Sequence, residues 1–220
     1  MLRAASGAVV FLAFLAAMLF GSAGEMAWPG AWLALGVYAA LTLAAFRLFD
    51  PGLLQERSRI APGFMLWDLI LSSIMFVWAF PATLLVAGLD HRRHWSASLP
   101  LAVQVGAFGL FAIGLSFSFW AEVTNKFFAP FVRIQTERSH HVITGGPYAY
   151  VRHPGYAGFM LGHAALPFLL GSLWALVPTV IGFSLLVVRA ALEDRTLHRE
   201  LVGYREYAER VRWRLLPGVW

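Results

Sequence analysis

The chain has 220 residues, of which 59% are hydrophobic, 15% aromatic and 13% charged, and its formal net charge is +5. An ordinary soluble domain carries about 25% charged residues, so this chain holds more apolar side chain than a water-facing fold of its size can bury, which excludes a soluble single-domain enzyme and a disordered chain. There is no cysteine, so disulfides, zinc–thiolate sites, thiol nucleophiles and iron–sulfur clusters are excluded too.

A membrane-crossing helix needs about 20 mostly apolar residues. The first such run covers residues 5–21. It follows Arg3 and precedes the small residues Gly21-Ser22-Ala23-Gly24, as in a signal peptide. Its apolar core is long for a signal peptide and more apolar runs follow, so a retained span is expected. The next spans are expected at residues 28–48, 64–89 and 99–121. The last run, residues 154–188, is too long for one crossing and has Gly171-Ser172 near its middle. It reads as a helical hairpin with arms at 154–170 and 173–188, the first arm short. The expected fold is all-α: a polytopic membrane bundle of about six spans, divided into four N-terminal spans (residues 1–122) and a C-terminal region (residues 123–220).

Charge sets the expected orientation. With six spans and the N-terminus inside, fifteen of the seventeen basic residues fall on the inner side, and only Arg92 and Arg93 fall outside. Lys and Arg concentrate in cytoplasmic loops, so both termini are expected in the cytoplasm. The same rule explains the positive charge without a nucleic-acid partner. Sixteen arginines against one lysine, with much alanine, suit a bacterial inner membrane.

Polarity is concentrated after Glu122. Before it, Asp68 is the ionisable residue lying well within a span; it sits near the inner interface, where snorkelling or a partner from the Arg57/Arg59 loop satisfies it. His163 is expected to pack inside the bundle, and Glu122 to mark a span end. Transporters show polar or broken helices near the midplane, and these spans show little of that.

The loop after Glu122 contains His140, His141, Gly145-Gly146-Pro147, Tyr148, Tyr150 and Arg152-His153-Pro154-Gly155-Tyr156. Gly-Gly-Pro is a turn. Pro154 suits the first position of a helix, whose free N–H groups and positive dipole end favour an anion. The tyrosines offer hydroxyls and flat faces. Further on, Arg189 and Glu193 are four apart and share a helix face, where they would make an ion pair at the helix end. Leu197, Leu201, Tyr204, Ala208 and Val211 recur at helical spacing, which predicts an amphipathic helix on the inner interface, ending by Pro217.

Taken in order, His140-x-Val142-Ile143-Thr144 with Tyr148, Arg152-His153-Pro154-x-Tyr156, Arg189-x-x-x-Glu193-Asp194, and Leu201-x-Gly203-x-x-x-Tyr207 resemble the isoprenylcysteine carboxyl methyltransferase family and the related phospholipid N-methyltransferases. The resemblance covers roughly residues 135–220. It implies an integral-membrane methyltransferase that uses S-adenosyl-L-methionine and a lipophilic methyl acceptor (a carboxylate, amine or thiol). By the same resemblance His140, Val142, Ile143, Tyr148, His153, Pro154, Gly155, Tyr156 and Glu193 line the cofactor site. Arg189 faces the reacting end of the acceptor, Arg189 and Glu193 are the catalytic pair, and no metal is expected. Gln135 matches a family glutamine only loosely, and Arg152 and Thr144 fit the pattern as structural residues. Two other readings compete: an NADPH-dependent sterol-reductase-like enzyme, whose C-terminal pattern is similar, and a non-catalytic membrane protein.

Overall fold

A computed structural model describes residues 2–57 and 62–220, with the backbone alone for residues 2–4. Arg59, expected beside Asp68, lies outside the described residues. The elements are α1 (Leu2–Ala23), α2 (Pro29–Leu48), the short α3 (Pro51–Arg57), α4 (Leu66–Ile74), a π turn (Met75–Ala79), α5 (Phe80–Arg93), α6 (Leu101–Thr124), α7 (Pro154–Leu169), α8 (Leu176–Glu200) and α9 (Tyr204–Arg210). Among the described residues there is no strand.

Five helices are long and apolar enough to cross a membrane, with α4, the π turn and α5 forming one of them, Leu66–Arg93. The π turn has a local cause. Pro81 has no N–H to give to the carbonyl four residues back, and the helix widens there, the Phe80 N–H reaching the Met75 carbonyl instead. Val9, Val10, Leu43, Ile70, Trp78, Val105, Ile113, Val180 and Ile181 are exposed; on helices of this length such a surface suits lipid.

The expected hairpin forms. Its turn is a Schellman close: Gly171 takes φ +73, the Ser172 N–H reaches the Pro167 carbonyl at 2.8 Å and the Gly171 N–H that of Phe168 at 3.2 Å. The first arm, α7, has 16 residues, about 24 Å at 1.5 Å per residue. It is too short to count as a span by length, yet it runs the depth of the bundle. Its far end packs against Gly30 of α2, and Ser172 just beyond it hydrogen-bonds Asp90 of α5 at 2.5 Å.

Close packing explains how so short a helix is held. Antiparallel to α6, α7 sets Gly155, Gly158 and Gly162 against Ala121, Ser118 and Gly114. Small residues let the backbones approach, and the Ser118 hydroxyl donates to the Gly155 carbonyl at 2.9 Å. The main apolar core joins α1, α2, α5, α6 and α7, with Leu15, Leu84, Phe111 and Leu166 fully buried. His163 packs inside it as expected, between Tyr38 (2.9 Å) and the Phe159 carbonyl (2.9 Å).

The tail departs from expectation. The second arm does not stop at Val188: α8 continues to Glu200. The amphipathic helix is cut at residues 201–203, where Gly203 takes φ +82, and restarts as the seven-residue α9. Its apolar stripe does not lie on an interface. Leu201, Tyr204 and Tyr207 are buried in a second small core with Ile134, Val142, Leu197, Ala208 and Val211, so the tail folds onto the loop after α6.

Candidate functional site

That loop, the start of α7, the second half of α8 and α9 enclose an open pocket with about 800 Å³ of empty space. It lies at the end of the bundle opposite the α7–α8 turn. His140, Val142, Ile143, Tyr148, His153, Gly155, Tyr156, Arg189 and Glu193 all line it. Among the residues singled out from sequence, Pro154 is buried but does not line the pocket; it starts α7 and aims its neighbours. Gln135, fully buried, pins the loop instead. Its amide donates to the Phe127 carbonyl at 2.6 Å and its oxygen accepts from Arg138 at 2.6 Å.

The loop is built on the N-terminal helices. Arg133 pairs with Glu56 of α3 at 2.7 Å and with Glu137 at 2.6 Å. The Val132 N–H donates to Asp68 at 2.7 Å, and the Met65 N–H to the Val132 carbonyl at 2.9 Å. At the turn, Gly146 has φ +57, a conformation costly for any side chain. The turn delivers Tyr148, whose hydroxyl accepts from Asn125 at 3.2 Å and whose carbonyl accepts from the Tyr207 hydroxyl at 2.8 Å. Burial pushes the Tyr148 hydroxyl well above its ordinary range, so it stays protonated.

Two ion-pair expectations change. Asp68 is not satisfied by Arg57, which pairs with Glu122 at 3.1 Å. Its partner is Arg189 of α8, whose Nε donates to Asp68 at 2.7 Å and whose Nη2 donates to it at 3.0 Å. Arg189 therefore does not pair with Glu193, although the two share a helix face. Two buried charges inside an apolar bundle gain far more from each other than from a solvated neighbour. Glu193 instead accepts a 2.5 Å hydrogen bond from the Tyr156 hydroxyl and lies 3.8 Å from Nδ1 of His153. The Arg189 guanidinium rests over the Tyr156 ring at 5.3 Å, and the His153 ring stacks parallel to Tyr156 at 5.6 Å.

Asp194, next to Glu193, points away into a cluster of its own. It is 1% exposed and pairs with Arg152 at 3.0 Å and Arg214 at 2.9 Å, and it accepts from the Tyr204 hydroxyl at 2.9 Å. The Arg152 and His153 N–H groups donate to the Trp213 and Arg214 carbonyls, both at 2.9 Å. Arg152 is thus tied into the packing of the tail, and it also lines the pocket. It clasps the tail against the start of α7.

His140 caps the loop. Its ring lies against Phe127 at 4.4 Å, and its Nδ1 accepts the Gln135 N–H at 3.3 Å. Burial lowers its pKa to about 4, with a smaller push from neighbouring positive groups, so it is neutral at physiological pH. Sequence reasoning passed over Asn125 and the aromatic wall of Phe127, Phe128 and Phe131. The clustered phenylalanines of this loop were a visible signal, since a polar loop has little reason to carry them unless they close over something. Among the described residues no group of His, Asp and Glu could hold a metal ion.

The fold and the pocket define a polytopic helical membrane protein with an open pocket, lined by polar and apolar side chains, at one end. Residues 107–199 match the model of the isoprenylcysteine carboxyl methyltransferase (ICMT) family, so the chain carries an isoprenylcysteine carboxyl methyltransferase-like region, reaching from early α6 to the last turn of α8. The match supports a membrane methyltransferase in general. No curated protein matches the chain.

Proposed function

We propose that the chain is an integral-membrane methyltransferase that uses S-adenosyl-L-methionine and acts on a lipidic or small hydrophobic acceptor at the cytoplasmic face, residues 123–220 forming the cofactor-binding and catalytic region. One observation carries this reading: Glu193, braced by Tyr156, opens into a single pocket with His140, Val142, Ile143, Tyr148, His153 and Gly155, residues contributed by the loop, α7 and α8.

The donor set fits the cofactor. Glu193 offers a carboxylate to an ammonium or to ribose hydroxyls. Val142, Ile143, Leu197 and Leu201 offer an apolar wall to a flat base. The buried His153 lies between the two acids, its Nδ1 3.8 Å from Glu193 and its Nε2 3.5 Å from Asp194, and so stands beside the Glu193 carboxylate in the pocket wall. A side chain at Gly155 would bring its Cβ within 2.9 Å of the Phe128 ring, so that position keeps the floor of the pocket clear. When bound, S-adenosyl-L-methionine supplies a methyl group carried on a sulfonium. The chain's own task is to hold donor and acceptor in line and to keep water out. Glu193 favours positive charge in a partly desolvated pocket, Tyr156 fixes the carboxylate, and the Asp194 clasp keeps the tail closed over the site. The fifteen-to-two distribution of basic residues supports a cytoplasmic pocket in a bacterial inner membrane.

The test is calorimetry on detergent-purified protein with S-adenosylmethionine, S-adenosylhomocysteine and NADPH. Binding of both sulfur compounds is expected. No heat from either overturns the reading, and binding of NADPH in their place supports a reductase.

A further inference from the structure

The segment after α9 closes on itself and turns apolar side chains outward. The Arg214, Leu215 and Leu216 N–H groups all donate to the Trp220 main-chain oxygen, at 2.8, 3.0 and 3.3 Å, and the Val219 and Trp220 N–H groups donate to the Leu216 carbonyl at 3.1 and 3.2 Å. Gly218 takes φ +82 to make the turn. Leu215 is buried, but Leu216 is 58% exposed and Val219 71%. Trp213 and Pro217 are exposed as well. Single exposed apolar residues are ordinary on a surface facing water. A cluster of them on one short turn marks a contact surface, and a turn that pairs its own N–H groups can enter a medium poor in hydrogen-bond partners.

The fold puts this turn at the membrane surface. The start of α7 is level with the end of α6, Gly155 lying against Ala121 and Gly146 against Thr124. Just before that start, the Arg152 and His153 N–H groups hold the Trp213 and Arg214 carbonyls. The turn therefore sits at the depth where the span Leu101–Thr124 ends. Trp120 and Val123 near the end of α6, and Tyr150 before α7, are exposed at the same depth. Trp and Tyr concentrate at this level in membrane proteins. The charge also fits. Residues 205–214 carry Arg205, Arg210, Arg212 and Arg214 against Glu206 and Glu209, and Arg210 and Arg212, next to the turn, are exposed.

We propose that residues 212–219 are a membrane anchor: Trp213, Leu216 and Val219 sit among the lipid headgroups of the leaflet on the pocket side, and Arg210 and Arg212 bind its anionic phosphates. Apolar side chains flanked by arginine are what the headgroup boundary accepts. The bilayer then presses the tail against the start of α7, and with it Leu201, Tyr204 and Tyr207 against the pocket. Two observations favour lipid over a second copy of the chain as the occupant. The exposed surface continues the lipid-facing end of α6, and its basic flank would repel its own copy. The proposal rests on the membrane placement of α6, not on the identity of the cofactor.

The chain has no cysteine, so single sites can be spin-labelled cleanly. Leu216→Cys and Val219→Cys report on the turn. Val202→Cys serves as the water reference, because Val202 is 93% exposed and lies more than one turn of α8 beyond Asp194, the partner of Arg214. Each labelled protein is placed in nanodiscs of phosphatidylcholine, with and without phosphatidylglycerol. Collisions with oxygen, which partitions into lipid, are compared with collisions with a water-soluble nickel chelate. The labels at 216 and 219 are expected to favour oxygen, and the label at 202 nickel. Phosphatidylglycerol should raise the oxygen preference of the turn by about twofold or more, and Arg210→Gln with Arg212→Gln should remove that rise. Turn labels as open to nickel as the label at 202 overturn the anchor. Labels shielded from both reagents mean that another protein surface covers the turn, and overturn it too. An oxygen preference indifferent to phosphatidylglycerol overturns the pairing of the two arginines with anionic headgroups; this comparison needs no arginine variant and decides alone if the double substitution does not fold.

Discussion

Glu193 and Tyr156 share a 2.5 Å hydrogen bond, so the carboxylate and its brace can be removed separately. Glu193→Gln keeps an oxygen for the phenol and deletes the charge. A hydrogen bond to a charged group contributes about 1.5–3 kcal/mol, so cofactor affinity is expected to fall on the order of ten- to a hundredfold with the melting temperature little changed. Tyr156→Phe, which leaves the charge, should cost less; calorimetry on the two variants orders them. His140 carries a pH prediction. Its pKa in the folded chain, about 4, is below the ordinary 6.5, so the unfolded chain binds more protons between those values. The stability from neutral His140 is present in full above pH 6.5 and is lost as pH falls towards 4. Melting temperature measured down to pH 4 should fall for wild type, and His140→Gln should lack that part of the fall. His140, Tyr148, His153 and Glu193 were legible because motif and turn chemistry are local. The partner of Arg189 was not, because Asp68 is 121 residues away and spacing carries no information over that distance. A charge balance would have found it: an acid and a base embedded in one apolar bundle each need a partner.

The length of α8 and the seam between α6 and α7 belong to the scale of elements. Hydropathy ends the last span at Val188 because Arg189, Glu193 and Asp194 follow. The helix continues because those three side chains are satisfied by Asp68, Tyr156 and Arg152 rather than by water. The apolar spacing of the tail was read correctly, but its break was missed although Gly203 announced it. The seam was legible only as a scatter of glycines, since small residues gain meaning from what faces them. Gly158→Ala would put a Cβ within 2.7 Å of the Gly114 carbonyl, with the Ser118 backbone also in the way, and neither can swing aside. Overpacking of this kind costs about 1–3 kcal/mol, read as a lower melting temperature in detergent. Gly106→Ala in α6, where an added Cβ meets nothing within 4 Å, should leave the melting temperature unchanged or raise it slightly.

Across the whole molecule, apolar spans hold a polar cap, and two buried aspartates tie the cap down at different places. Asp68 joins α4 to α8. Asp194 joins α8 to the residues before α7 and to the tail. The family match ends at residue 199, so Leu201, Tyr204 and Tyr207, which complete the pocket wall, lie beyond it, and Asp194 is what draws them in. Asp194→Asn would leave Arg152, 8% exposed, short of a countercharge. Breaking one partner of a buried pair costs about 3–5 kcal/mol. The loss should appear first where the tail is clasped, because the Arg152 and His153 N–H groups are held by the Trp213 and Arg214 carbonyls. Hydrogen exchange at those two amides is expected to quicken in Asp194→Asn while amides in the middle of α6 and α7 keep their protection. Uniform loss of protection would mean that Asp194 supports the whole bundle rather than its lid. If the clasp alone opens, affinity for S-adenosylhomocysteine should fall with it even though Glu193 is untouched, because the wall formed by Leu201, Tyr204 and Tyr207 would no longer be held against the loop.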